Sequence, residues 1–269
     1  MRELAIVWLL LAIVQRVCGG SPIPRQPVLV LDMDGTLYDD HCNIEEQIAR
    51  TCHEWASRKF GLSTAEADSL HREYGSTIAG VVLTKKLSRD DTVLNYYNEV
   101  YPHLDMSGLC KYSRSASGST GYSALTATHA KALKALHRLR CPIVLASNSP
   151  VFHLKRVLAR LGLATLPVAH YLTPERRGGV TKAEPAFWDS LLQLYPKDGF
   201  HCTLIDDNAG NLMTVQKLGI SGLRVCNHRS ESTLAEALAD FLGLLPQLPD
   251  KTSFVFSEVR THIGKPFTG

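Results

Sequence analysis

Four apolar residues, Val28-Leu29-Val30-Leu31, run straight into Asp32-Met33-Asp34-Gly35-Thr36-Leu37. The apolar run reads as a buried strand. In an extended chain alternate side chains share a face, so Asp32 and Asp34 are expected to point the same way. Two carboxylates side by side at a strand's carboxyl end repel each other unless a cation or a shared proton neutralises them. Gly35 lets the chain turn at once, and Thr36 brings a hydroxyl and a backbone N–H. Taken alone, the segment fits a polar turn, a calcium loop or a phosphoryl-transfer site with an aspartate nucleophile. The calcium loop fails, because it needs glycine at its sixth position and Leu37 stands there. The other two readings stay open at this point.

The bulk numbers narrow the class. A chain of 269 residues suits one sizeable core plus an accessory domain. Hydrophobic content of 45% with 20% charged residues is that of a soluble globular protein. A net charge of +3 is too slight to argue for a nucleic acid polymer as partner. The seven cysteines (18, 42, 52, 110, 141, 202 and 226) form no Cys-x-x-Cys pair, which argues against a disulfide scaffold or a zinc site. Several fall at apolar positions and read as small core residues.

Leu4 to Val14 is apolar but too short to span a bilayer, so no stable membrane span is expected. It matches the apolar region of a signal peptide, with Val17-Cys18-Gly19 as the cleavage candidate. Glu3 and Arg16 argue the other way, for a buried N-terminal helix and a cytoplasmic protein, and both readings stand. Ser21 to Pro27, with three prolines, reads as a linker.

From Asn43 to Tyr101 the pattern is helical. Asn43 with Glu46 and Ser63 with Glu66 are capping-box starts, and Gly61 and Gly75 are stops. Further helices are expected over 77–87 and from Ser88 to before Pro102. Four helices in succession predict a small bundle inserted after the first strand. Ser113 to Ser123, rich in serine and glycine, reads as a linker or loop insertion. Beyond a helix at 126–140 the chain alternates. Strands are expected at 143–146, 168–172, 202–205 and 223–226, with helices at 151–161, 185–194, 212–218 and 232–242. This alternation predicts an α/β fold with a doubly wound parallel sheet, whose ligands bind beyond the strands' carboxyl ends. The domain reading is an extension at 1–26, a core at 27–40 and 113–245, a helical insertion at 41–112 and a tail at 246–269.

Polar residues collect at three strand ends: Asp32 and Asp34, Ser147 and Asn148, Asp206 and Asp207. Four carboxylates at one sheet edge call for a divalent cation, and hard oxygen ligands favour Mg²⁺. Ser147 offers a hydroxyl to a phosphate oxygen, and Lys182 precedes a helix, where it can offset nucleophile and phosphate charge. Singly, each is an ordinary surface or turn residue. Their occurrence in this order is hard to obtain by chance. Arg176-Arg177 and the histidines at 53, 71, 129, 137, 153 and 201 show no partner pattern and read as surface or packing residues.

At this point the chain resembles the haloacid dehalogenase (HAD) superfamily of phosphotransferases. Asp32-Met33-Asp34-Gly35-Thr36-Leu37 is similar to its first motif and Ser147 to its second. Lys182 through Pro185 resembles the lysine motif, with Ala183 in place of a proline. Leu204-Ile205-Asp206-Asp207, followed by Asn211, resembles the acidic fourth motif. A narrower resemblance links Tyr38-Asp39, the segment Arg72 to Val81, and Lys217-Leu218-Gly219-Ile220 to the pyrimidine 5′-nucleotidase branch, which carries a helical cap.

The resemblance implies that Asp32 attacks phosphorus and that Asp34 acts as general acid, then as general base. It implies Mg²⁺ held by Asp32, the Asp34 backbone carbonyl and Asp207, with Asp206 as a direct or water-mediated ligand. Thr36, Ser147, Asn148 and Lys182 would hold the phosphoryl group, and Tyr74 is the candidate contact for the leaving group. The substrate expected is a small phosphate ester, with pyrimidine nucleoside monophosphates favoured. Other phosphate esters such as sugar or pyridoxal phosphates, a mutase, and a non-catalytic binding protein stay open. A dehalogenase is disfavoured because Asp34 and Thr36 suit phosphoryl chemistry.

Overall fold

A computed structural model describes residues 25–38, 42–74, 76–109, 131–226 and 233–243. The leader reading, the stop at Gly75, the Ser/Gly-rich stretch and the tail after 246 all lie outside these residues. Among the described residues no helix is long and apolar enough to cross a membrane.

Five strands form one sheet: β1 (Gln26–Leu31), β2 (Ile143–Ala146), β3 (Val168–Leu172), β4 (Phe200–Asp206) and β5 (Ser221–Arg224). Their order is β3-β2-β1-β4-β5, and every pairing is parallel. The expected doubly wound sheet is therefore present. β1 lies in the centre, where Leu31 pairs with Leu145 on one side and Ile205 on the other. That register puts the carboxyl ends of β1, β2 and β4 level, and each continues into one of the polar segments.

Period-two alternation divides the apolar side chains between two faces. Leu29, Leu31, Ile143 and Leu145 pack with residues 132–136, with α6 (Val151–Arg160) and with α9 (Leu234–Gly243). Val28, Val30, Val144 and Ala146 face Phe187, Trp188, Leu191, Leu212 and Val215. These come from a 3₁₀ turn (Pro185–Trp188) leading into α7 (Asp189–Leu194), and from α8 (Ala209–Lys217). Residues 131–136, labelled α5, are helical. Burying β1 on both faces is what a parallel central strand requires, and it explains the unbroken apolar run.

After β1, residues 44–100 form four helices: α1 (Ile44–Phe60), α2 (Thr64–Tyr74), α3 (Thr77–Lys85) and α4 (Arg89–Val100). They enclose their own apolar cluster around Trp55, Ile78, Val93, Tyr96, Tyr97, Val100 and Tyr101. The Ser63–Glu66 capping box forms reciprocally, with the Ser63 N–H donating to Glu66 and the Glu66 N–H to Ser63. The Asn43 box does not. Asn43 sits at φ 55° and its side chain caps nothing, because the left-handed backbone there turns the side chain away from the helix N–H groups. Of the cysteines, 42, 52, 141, 202 and 226 are free thiols, three of them buried, as a core role predicts.

Candidate active site

β1 ends at Leu31, and residues 33–37 close a tight turn in which the Leu37 N–H donates to the Met33 carbonyl (2.9 Å). Gly35 makes the turn possible with φ 76°. Because the strand stops before Asp32, the two aspartates do not share a strand face as expected. They address different partners.

Asp32 is buried and faces Lys182, whose Nζ lies 2.6 Å from Asp32 Oδ1 and 2.8 Å from Asp206 Oδ2. Thr36 Oγ1 donates to the other Asp32 oxygen (3.3 Å). Lys182 is itself buried. Burial pulls its proton affinity down, but Asp206 and Asp32 raise it by more, so the ammonium stays charged. Its loop is braced from three sides. The Lys182 N–H donates to Asn148 Oδ1 (2.9 Å), Trp188 Nε1 donates to the Lys182 carbonyl (3.0 Å), and the Thr181 N–H donates to Glu184 (3.0 Å).

Asp206 is completely buried and surrounded by donors: Lys182, the Asn208 N–H (2.8 Å) and Asn211 Nδ2 (3.1 and 3.2 Å). Asp207 is more accessible. Asp32, Asp206 and Asp207 each bring a carboxylate oxygen within 4.8 Å of the others. Asp32 is pushed well above the ordinary carboxylate range, first by burial and then by Asp206, Asp207 and Asp34, against the pull of Lys182. Asp207 is raised by burial and by Asp206. One ammonium among these carboxylates leaves surplus negative charge in hard oxygen donors, which fits a divalent cation such as Mg²⁺. The Asp34 carboxylate is not in this group.

Asp34 points the other way. Its Oδ1 accepts from Tyr38 Oη (2.5 Å) and lies 3.3 Å from His153 Nε2. Its Oδ2 accepts from Ser149 Oγ and, at 3.5 Å, from Ser147 Oγ. Burial alone would raise its pKa. The His153 contact, with Ser149 and Tyr38, outweighs burial and brings it down to about 2. Tyr38 is held protonated by burial and by the Asp34 charge, so it donates.

A family model of the haloacid dehalogenase-like hydrolases matches residues 27–219, which spans the site and the insertion together. The chain belongs to this family. No curated protein matches it in sequence. Among solved structures it is similar to the HAD hydrolase YfnB of Bacillus subtilis bound to magnesium, with 15% identity over 75% of this chain and 89% of that one (TM-score 0.43). It is also similar to a HAD phosphatase of Thermococcus onnurineus, at 16% identity over 81% and 98% (TM-score 0.42). A third is the L-2-haloacid dehalogenase of Xanthobacter autotrophicus, at 17% identity over 82% and 84% (TM-score 0.38).

Within this HAD fold the residues expected at the three strand ends do come together, with two corrections. Asn148 braces the Lys182 loop through its side-chain oxygen, and its carbonyl accepts from Tyr97 Oη (2.6 Å). Tyr74 is engaged elsewhere: its ring lies against Gly80 and its hydroxyl bonds Glu73. The insertion tyrosines that reach the strand ends are Tyr97 and Tyr101. They lie four residues apart, on one side of the chain at the end of α4, a spacing that was visible in the sequence. His153 is the clearest omission. It reads as a packing residue, yet it is fully buried with Nε2 on Asp34. The available signal was a histidine in the first turn of a helix, among apolar residues, just after a polar strand end.

Proposed function

We propose that this HAD hydrolase is a divalent-cation-dependent phosphomonoester phosphatase acting through a phosphoaspartate on Asp32. The observation that carries the reading is the division of labour between two aspartates two residues apart. Asp32 lies against the Lys182 ammonium in the acidic group. Asp34 is held apart by neutral donors and a histidine. Carboxylates placed in opposed environments are the usual mark of distinct roles in catalysis.

In the first step an Asp32 oxygen forms a bond to phosphorus and the ester P–O bond breaks. The departing oxygen takes a proton from Asp34. In the second step water attacks the same phosphorus, Asp34 takes its proton, and the Asp32 carboxylate is released with inorganic phosphate. Asp34 is ionised in the arrangement described, and a phosphate dianion arriving beside it raises its proton affinity by like-charge repulsion. Lys182 faces both Asp32 and the incoming phosphoryl oxygens, and Thr36 and Ser147 add hydroxyl donors at the same edge. A divalent cation held by Asp32 and Asp207, with Asp206 behind them, would supply charge neutralisation for those oxygens. Asp34 and Thr36 have no evident use in displacement at carbon, which sets the dehalogenase reading aside.

For the leaving group, the reading extends to nucleoside 5′-monophosphates, with pyrimidine nucleotides favoured. It is supported by the resemblance of the Arg72 to Val81 segment to the pyrimidine 5′-nucleotidase branch. The test is phosphate release from a panel of nucleotides, sugar phosphates and pyridoxal phosphate, with Mg²⁺ or EDTA, by wild-type and Asp32→Asn protein. The expected result is Mg²⁺-dependent turnover, greatest on pyrimidine nucleotides, and a loss of at least about 10³-fold in Asp32→Asn. Equal release by the two proteins overturns the mechanism. A preference for another ester overturns only the substrate.

A further inference from the structure

Four side chains hold the Asp34 carboxylate, and two of them meet at a third residue. Ser149 Oγ donates to Asp34 Oδ2, and His153 Nε2 lies 3.3 Å from Asp34 Oδ1. The Tyr101 hydroxyl is 3.2 Å from Ser149 Oγ, and the Tyr101 ring meets the His153 ring edge-on, with centroids 5.0 Å apart at 73°. All three side chains are almost fully buried. A carboxylate only accepts, so the Ser149 proton points at Asp34. Ser149 is left with lone pairs alone for Tyr101, and the tyrosine must be the donor. The result is a directed chain from Tyr101 to Ser149 to Asp34, in which each bond strengthens the next.

Tyr101 belongs to the helical insertion. It opens the 3₁₀ turn (Tyr101–His103) after α4, and its ring packs edge-on against Tyr97. It is fixed to the sheet side by Arg156 of α6, whose guanidinium donates to the Tyr101 carbonyl (2.8 Å) and the Leu104 carbonyl (3.3 Å). Hydroxyl, ring and backbone are therefore each held by a different group of the core.

We propose that Tyr101 is a positioning residue that sets the orientation of the Asp34 carboxylate through Ser149 and His153, so that the insertion takes part in proton transfer without touching the reacting atoms. This rests on the reading of Asp34 as the acid of the first step.

Leaving-group dependence separates a proton-transfer defect from a general one. A 4-nitrophenolate departs without needing a proton, whereas an alkoxide needs one. The experiment compares kcat/KM for 4-nitrophenyl phosphate and for an alkyl phosphate in wild-type and Tyr101→Phe protein. The substitution keeps the ring on His153 and removes the hydroxyl. The expected result is a loss of about ten-fold on the alkyl ester and less than about two-fold on the aryl ester. Ser149→Ala is expected to repeat that selective loss and Ser149→Thr, which keeps a hydroxyl, to reverse most of it. Equal losses on both esters, or none, overturn the proposal. If Tyr101→Phe does not fold, the Ser149 pair decides it by the same criterion. A wild-type protein that turns over neither ester overturns the phosphatase reading itself, whereas an active wild type with indifferent variants overturns only the role of Tyr101.

Discussion

The Lys182 ammonium lies 2.6 Å from Asp32, and both groups are buried. The same nitrogen reaches Asp206 at 2.8 Å. One cation thus bridges the proposed nucleophile and the most deeply buried carboxylate of the acidic group. Removing a single partner from such a pair leaves an uncompensated charge in a low-dielectric interior, which costs more than the pair itself contributes. Lys182→Met is therefore expected to lower unfolding stability by about 3 kcal/mol, read by urea titration without divalent cation. Added Mg²⁺ should restore part of that stability by supplying positive charge among the same oxygens, while phosphatase activity stays lost. Unchanged stability would mean that the carboxylates are neutral in the resting protein.

Asp34 gives a dependence on pH. Its folded pKa of about 2 lies below the ordinary value of 3.8. A depressed carboxylate contributes stability that is fully present above 3.8 and drains away as pH falls towards 2. The share is on the order of 2 kcal/mol for a shift of this size. Wild-type protein should lose this increment between about pH 4 and pH 2, beyond what Asp34→Asn loses, in chemical unfolding measured at each pH. Parallel curves for the two proteins would refute it.

Gly35 stands in the tight turn directly after Asp34, at φ 76°, and a Cβ there would come within 2.6 Å of Glu45 Oε1 and 2.8 Å of Asp207 Oδ2. Gly35→Ala combines backbone strain with displacement of a cation-side carboxylate. Its expected effect is a stability loss of about 1–2 kcal/mol and a rise of at least about ten-fold in the Mg²⁺ concentration needed for half-maximal turnover. A variant with wild-type Mg²⁺ dependence would place Asp207 outside the cation site.

Arg89, at the start of α4, makes a two-pronged contact with Glu184 in the Lys182 loop, at 2.9 and 3.1 Å. Both side chains are partly exposed, so the coupling is modest. A double-mutant cycle with Arg89→Met and Glu184→Gln is expected to give about 1 kcal/mol of interaction in unfolding stability. Salt at 1 M should reduce it. A coupling near zero would leave Tyr97, Tyr101 and Arg156 as the groups fastening the insertion to this face.

Much of this was legible in the chain because it is local. A strand's length and its alternation of faces are written in Val28 to Leu31, and parallel order follows from strands separated by helices. Asp206 is legible because it ends an apolar run at the sheet edge, and Lys182 because it stands in the loop before a helix. Tyr74 was a natural choice for the insertion's contact because it lies in a recognisable segment, but segment likeness says nothing about which way a helix faces.

The sequence by itself determined which residues sit at the tips of β1, β2 and β4, since hydrophobic periodicity and turn chemistry act over a few residues. Only the tertiary structure decided that Asp32 and Asp34 part company, and that His153, Ser149, Tyr97 and Tyr101 gather around the second of them. Those contacts join segments more than forty residues apart. They depend on where the first strand stops and on how the insertion packs back against α6, and no local pattern carries that information.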